Sequence, residues 1–267
     1  MDKTSHPLAV ITGASSGIGF ELAREFVRHG YDVFVTADDE LLDEAVARLQ
    51  PYGTRVHSAR VDLAAADGAE TLLAELRALG RTASAAVLNA GVGHGGPFLE
   101  TALPDLARVL DVNVFSTVHL THQLLSDMAR RGEGRILIVT SVAAEIPGPY
   151  HAVYNASKAF LESFAEALHS EVRDSGVSVT ALMPGATDTR FFVRAGLLDT
   201  RLGRAKKDDP ALVARQGYRA LMDRRSRKVA GSLRTRAQHS VTRLLPSEAR
   251  AALHRRWAQP HGSRSHL

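Results

Sequence analysis

Tyr154 and Lys158 stand four residues apart in the stretch PYHAVYNASKAFLESFAEALHSEV, residues 149–172. The stretch reads as a helix with an apolar stripe at Ala156, Phe160, Phe164 and Leu168. That stripe needs neither a phenol nor an ammonium. Positions i and i+4 share one helix face, so the two polar groups are neighbours. A free tyrosine titrates near 10, and an adjacent ammonium favours its phenolate. Bringing the phenol to neutrality means a shift of about 3 units, or roughly 4 kcal/mol of differential stabilisation. A pair tuned in this way could exchange a proton with a bound molecule; the plainer alternative is a surface helix with a cation beside an aromatic.

A second constellation, VITGASSGIGFELAREF, places Gly13, Gly17 and Gly19 between a strand-like run and a helix-like run. Ser15, Ser16 and Ile18 fill the turn. Glycines there allow a tight turn and a close approach of the backbone to a pyrophosphate, which the free N–H groups of the helix start then stabilise. The spacing Gly-x3-Gly-x-Gly differs from the commoner Gly-x-Gly-x-x-Gly pattern.

Positioning these groups requires a scaffold, and the chain alternates strand-length apolar runs with amphipathic segments. LAVIT (8–12), DVFVT (32–36), RVHSARVD (55–62), AAVLN (85–89), RILIVTS (135–141), VSVTALM (177–183) and a short run near 228–231 are the strand candidates. Helical patterns lie near 17–29 and 40–50, and a long one spans 105–131. Mostly apolar strands joined by helix-length crossovers predict an α/β protein with a doubly wound parallel sheet of about seven strands, helices covering both faces. Ligands of such a sheet lie beyond the carboxyl ends of the strands, at the switch in strand order. The chain has 267 residues, 45% hydrophobic and 23% charged, which suits one large domain. No apolar run approaches the roughly 20 residues of a membrane span, the start MDKTSHPLAVITG lacks a signal-like apolar region, and a cytoplasmic location is expected. There are no cysteines, and no His/Asp/Glu cluster has metal-ligand spacing, so no metal is expected. The net charge of +4 is uneven: residues 224–267 carry eleven Lys/Arg against one acid, Glu248, and residues 1–223 carry 22 against 28. This divides the chain into a domain at 1–231 and a basic helical extension at 232–267. No nucleic-acid role is expected. Contact of the tail with an anionic membrane is possible but less favoured than docking on the same subunit or a partner.

Taken together, Thr12-Gly13-x3-Gly17-x-Gly19, Asn89-Ala90-Gly91, Asn113, Ser141, Tyr154-x3-Lys158 and Pro184-Gly185 resemble the short-chain dehydrogenase/reductase family from about residue 7 to 190. Ser141 precedes Tyr154 by thirteen residues, a separation typical of that family. The resemblance implies a single Rossmann-type domain, usually dimeric or tetrameric, that moves hydride between NAD(P) and an alcohol or carbonyl. Tyr154 would be the general acid of reduction and general base of oxidation, its pKa lowered by Lys158 together with the oxidised nicotinamide. Lys158 would also hold the ribose of the nicotinamide, Ser141 would polarise the substrate oxygen, and Asn113 would position a water for proton relay. Asn89 would stabilise its turn on the adenosine side. Asp62 and Leu63 fall where the family meets adenine, with Asp62 as a plain helix cap the alternative. Thr187 and Thr189 fall where it meets the carboxamide or pyrophosphate, although valine is usual at 187.

Cofactor choice turns on VFVTADDELL: Ala37 occupies the place of the acid usual in NAD-preferring members, and Asp38 that of the arginine common in NADP-preferring ones. Ser16 is neutral. Two acids, Asp38 and Asp39, would repel a 2′-phosphate, which favours NAD over NADP unless Asp38 merely caps the next helix. The substrate lid is expected at about 187–210. Phe191, Phe192, Leu197 and Leu198 would face Val92, Phe98, Ile146 and Pro147 across an apolar pocket for a fairly hydrophobic substrate, or would simply pack the lid. His94 and His151 read as packing or solvent-facing. In the tail, Leu233, Ala237, Val241, Leu244 and Leu245 have helical spacing, Ser247 would cap a second helix bearing Leu253 and Trp257, and QPHGSRSHL is expected to be disordered. The rival functional reading is a regulatory or scaffold protein that binds cofactor without turnover.

Overall fold

The computed structural model describes residues 6–260; the C-terminal part of QPHGSRSHL, from residue 261, lies outside them. Seven strands pair in parallel: β1 (Leu8–Thr12), β2 (Asp32–Ala37), β3 (Val56–Arg60), β4 (Ala83–Leu88), β5 (Gly134–Val139), β6 (Val177–Pro184) and β7 (Arg227–Ala230). Their order is β3-β2-β1-β4-β5-β6-β7. The chain winds outward from β1 to β3, then returns to the other side of β1 with β4, so the crevice opens between β1 and β4 at their carboxyl ends.

Alternation along the strands builds two cores. Ala9, Ile11, Val33, Val35, Ala85, Val87 and Leu137 point to one face, where they meet α1 (Gly17–Arg28), α2 (Leu41–Leu49) and, later in the chain, the helix Pro210–Met222. Leu8, Val10, Phe34, Ala86, Leu88, Ile136 and Ile138 point to the other, against α3 (Gly68–Ala78), α5 (Ser116–Arg131) and α6 (Ala152–Glu171). β1, β2 and β6 are buried throughout, which is why they read as unbroken apolar runs.

The long pattern expected at 105–131 is interrupted. α4 (Leu103–Leu110) runs into a π-helical turn at Asp111–Phe115 before α5 begins. A π turn inserts one extra residue per turn and re-aims the side chains it contains, here including Asn113. After β6 come two short helices, α7 (Phe191–Arg194) and α8 (Arg201–Arg204), then α9 (Pro210–Met222), and after β7 come α10 (Leu233–Arg243) and α11 (Ser247–Ala258). Ser232 caps α10 by accepting from the Thr235 N–H. Ser247 is the first residue of α11 and not its cap, a position taken by Pro246. No helix among the described residues is long and apolar enough to cross a membrane.

The tail packs in a way its apolar spacing does not indicate. Leu233, Val241 and Leu244 are exposed at 78%, 63% and 86%. The inward face of α10 is polar instead, with Thr235, Gln238, His239 and Thr242 turned to the crevice. Glu145 explains the inversion: it lies just after β5, pairs with Arg227 (2.8 Å), His239 (2.8 Å) and Arg243 (3.8 Å), and its carbonyl accepts from Arg250. A charged hub in the crevice wall recruits the basic residues of the tail, and the leucines are left outside.

Candidate active site

The carboxyl ends of β1, β4, β5 and β6 and the inner faces of α6, α7, α10 and α11 enclose a cavity of about 590 Å³. At its floor β1 turns into α1. Gly13 and Gly17 have φ of +64° and +59°, values an L side chain rarely adopts. Gly19 shows no such φ; it is required because a Cβ there would run into the Gly13 carbonyl and the Asn89 amide. Asn89 holds the other side of this turn, its Nδ2 donating to the carbonyls of Thr12 and Gly13 at 3.0 and 3.1 Å. Thr12 completes the lock: its Oγ1 accepts from the backbone N–H groups of Asn89 and Ala90. The motif Thr12-Gly13 is visible in the sequence, but this bridging role is not. The Ser16 side chain does not cap α1, and Gly13, Ser15, Ser16, Gly17 and Ile18 line the cavity. The first-turn N–H groups of α1 are therefore left for an anion from elsewhere, which fits the pyrophosphate of a dinucleotide. Thr189 closes over Gly17, its methyl 2.8 Å from where a Cβ would stand, and Thr187 Oγ1 donates to the Gly185 carbonyl at 2.9 Å.

Among the expected site residues, Asp38, Asp62, Leu63, Asn89, Ala90, Gly91, Ser141, Tyr154, Lys158, Pro184, Gly185, Thr187 and Thr189 also line this cavity. Gly19 and Asn113 do not. Asn113 is fully buried behind the wall, where its Oδ1 accepts from the Val92 N–H (2.8 Å) and its Nδ2 donates to the Val92 carbonyl (3.0 Å) and Ser157 Oγ (2.9 Å). The π turn aims it there, and its direct bonds fix the strand end beside Lys158.

Ser141, Tyr154 and Lys158 converge from β5 and α6. Lys158 is buried, with Nζ donating to the Val139 carbonyl at 3.0 Å and lying 5.8 Å from the Tyr154 ring centre. Burial lowers its pKa to about 8. Desolvation pushes the Tyr154 phenol up to about 12, and its hydrogen bond with Ser141 acts the other way. The lowering expected from the lysine is thus not present in the protein alone: burial outweighs the hydrogen bond with Ser141.

Beyond the ends of β2 and β3, Arg108 joins two acids, reaching Asp62 at 3.0 Å and Asp38 at 3.1 Å. Asp38 does not cap α2, whose N-cap is Glu40. Asp62 accepts from the Ala64 N–H at 2.9 Å and does not cap α3. Asp39 turns away from the cavity; it accepts from Ser15 Oγ at 3.1 Å and pairs with Arg194 of α7, tying the lid to the glycine turn. The cross-links through Arg108 and Arg194 span 46 to 155 residues of sequence and leave no local signal.

The substrate end is only partly the pocket expected. Phe191, Phe192, Val92 and Ile146 line it. Leu197 is buried beneath the lid against Gly95, Leu198 and Phe98 are 54% and 59% exposed, and Pro147 faces a separate shallow cleft. His151 is no solvent-facing residue: it is 3% exposed and stacks on the Tyr154 ring at 4.7 Å. Leu253, His254 and Trp257 of α11 complete the wall, so the tail docks in cis over the cleft.

The short chain dehydrogenase profile matches residues 7–196, which hold every one of these motifs. The chain belongs to the short-chain dehydrogenase family. It is 36% identical over 190 residues to the serine 3-dehydrogenase of Agrobacterium fabrum, covering 70% of this chain and 75% of that one. It is 34% identical over 180 residues to a very-long-chain 3-oxoacyl-CoA reductase of Laccaria bicolor, and spans only 53% of that longer protein against 65% of itself. Among solved structures, a Burkholderia phymatum member in complex with NAD superposes with a TM-score of 0.80 at 27% identity, over 93% of this chain and 95% of that one. A Sphingobium yanoikuyae member in complex with NADPH gives 0.78 at 28% identity, over 84% and 87%. This short-chain dehydrogenase is accordingly an NAD(P)-dependent oxidoreductase of alcohol and carbonyl groups.

Proposed function

We propose that the protein interconverts a fairly hydrophobic small alcohol and its ketone or aldehyde, with Tyr154 as the acid/base. The convergence of Ser141, Tyr154 and Lys158 on one wall of the cavity carries this reading. Bound at the cleft, the nicotinamide supplies or accepts the hydride. The Ser141 hydroxyl and the Tyr154 phenol converge where a substrate oxygen would sit, and together they polarise it. As alkoxide character develops, the phenol gives up its proton. An alkoxide is a stronger base than a phenolate, so the transfer is favourable. In oxidation the phenolate takes that proton back, and the Lys158 ammonium near it favours the charged form. Lys158, mostly protonated below pH 8, stabilises the phenolate left after transfer and holds the ribose beside it.

NAD is the proposed preferred form. A 2′-phosphate would have to displace Arg108 from Asp38 or sit beside that carboxylate. The exposed apolar side chains of Leu103, Leu110, Phe115 and Phe160 lie on α4, the π turn and α6, and support a homodimer or homotetramer covering that face. The catalytic domain is proposed to end at residue 231, with Thr235, Gln238, His239, Leu253, His254 and Trp257 of the basic extension lining the cleft.

The deciding experiment is Tyr154→Phe. Turnover of NAD(P)H against a ketone and aldehyde panel should fall by roughly 10²–10⁴-fold while cofactor binding is kept. An active Phe variant refutes the assignment, and a wild type that binds cofactor without turning over any panel member favours the regulatory reading.

A further inference from the structure

A helix on the surface of a globular domain turns its apolar stripe to the core. α10 does the reverse, because its contacts with Glu145 and the cleft hold its polar side: Thr235, Gln238, His239 and Thr242 line the cavity, and Thr235 Oγ1 donates to Asp208 at 2.6 Å. Leu233, Ala237 and Val241, with Leu244 at the C-cap, fall within about 80° of one another around the helix axis on the opposite side. All four are exposed. Ser240 stands among them, but its hydroxyl already donates to the Arg236 carbonyl at 3.1 Å. Arginines border this stripe, Arg234 along one edge and Arg236 and Arg243 along the other. Arg243 reaches back to Glu145 at 3.8 Å. Arg234 and Arg236 are exposed and form no ion pair among the described residues, and the same holds for Arg255 and Arg256 of α11. Arg236 also crowds Lys228 of β7, whose pKa is lowered by burial first and then by Arg236 and Arg225. Between residues 232 and 260 Glu248 is the single acid. One face thus carries aliphatic side chains in water beside cations without counter-ions.

We propose that the outward face of α10 docks on an anionic lipid bilayer, with Leu233, Val241 and Leu244 entering the headgroup boundary and the unpaired arginines meeting lipid phosphates. An apolar stripe between basic edges is the pattern of a helix that lies in a membrane interface. A second copy of the chain fits less well. Two-fold pairing of this patch with itself would bring the same arginine edges together, with only Glu248 on each side to offset them. The docking also decides where the enzyme meets its substrate. Arg234 borders the stripe and lines the cavity, so stripe and cleft adjoin there, and the polar side of the same helix is cleft wall. The cavity then stands about 10 Å, one helix diameter, from the lipid. An apolar alcohol or ketone dissolved in the bilayer is concentrated beside it. The inference goes beyond the reading of Tyr154 as the acid/base and does not depend on it.

Flotation of the full chain with lipid vesicles tests this. Vesicles of phosphatidylcholine and phosphatidylglycerol in equal parts should carry the protein upward. Partitioning should fall at least about tenfold on pure phosphatidylcholine or in about 1 M salt. Leu233→Ser combined with Leu244→Ser keeps every charge and should weaken partitioning about ten- to a hundredfold. Arg236→Gln combined with Arg256→Gln keeps the stripe and should weaken it about tenfold. These residues are exposed and none lines the cavity, so Tm and the turnover of a water-soluble ketone should match wild type in both double variants. A wild type that does not float with the anionic vesicles overturns the inference. So does flotation lost in the arginine variant and unchanged in the leucine variant, the behaviour of a surface for polyanions such as nucleic acid or an acidic protein. A leucine variant whose sedimenting mass is halved marks a face covered by a second copy and overturns it as well. None of these outcomes touches the acid/base reading, which stands or falls with Tyr154→Phe.

Discussion

Replacing Lys158 by methionine should make the protein more stable and inactive at once. The ammonium is buried, and its pKa falls from 10.5 to about 8. That gap means the charged form costs the folded state about 3 kcal/mol relative to the unfolded chain. The sign follows from the direction. Above pH 10.5 the amine is neutral in both states and the cost is absent; it grows as pH falls toward 8 and is complete below that. Methionine keeps the unbranched stem and removes the charge. It also leaves the Val139 carbonyl without its donor, a loss of about 1 kcal/mol. The net expectation at pH 7 is a gain of roughly 2 kcal/mol, or about 5 °C in Tm for a domain of this size. Turnover should drop by at least about 10²-fold, because phenolate and ribose lose their cation. Thermal unfolding of the cofactor-free protein, followed at pH 7, 9 and 10.5, is the assay. The gain should shrink through this range and reverse slightly at the top, where only the lost hydrogen bond remains. A variant less stable than wild type at pH 7, or a gain independent of pH, would show that the buried ammonium is not strained and that the reasoning is wrong.

Other consequences are as direct. Gly19→Ala places a methyl into the Gly13 carbonyl and should reduce NAD(P)H affinity at least tenfold, read by cofactor fluorescence, with a loss of stability of about 2 kcal/mol or more. Asp38→Asn frees Arg108 from one of its two acids and should move the NADH/NADPH affinity ratio toward NADPH by about tenfold; a wild type that already binds NADPH more tightly contradicts the proposed preference. Sedimentation at micromolar concentration should give a dimer or tetramer, and Phe160→Arg should yield a monomer; a monomeric wild type removes the case for a covered α4–α6 face.

Much of this was legible in the residues. Parallel strands buried on both sides read as apolar runs, and the glycine turn and the Tyr154–Lys158 spacing are local patterns that local geometry obeys. Three features were not legible. The helix expected at 105–131 hides a π turn, because one extra residue in a turn leaves an apolar periodicity almost unchanged. The helical spacing of Leu233, Val241 and Leu244 gives no sign that the polar face of α10 turns inward, where His239 and Arg243 meet Glu145. Hydrophobicity says that Leu197, Leu198, Phe98 and Pro147 avoid water and not which apolar neighbour each meets, so pocket wall and lid packing read alike; Leu197 packs the lid.

By itself the sequence determined the sheet and the family and marked the candidate proton-handling residues, since each is carried by short-range spacing that any fold of this class must respect. Tertiary structure alone decided the burial of those residues, the bridging of Asp38 and Asp62 by Arg108, and the seat of His151 beside the tyrosine. These depend on burial and on charges that meet across tens to hundreds of residues, and desolvation and distance are properties of the packed chain rather than of its order.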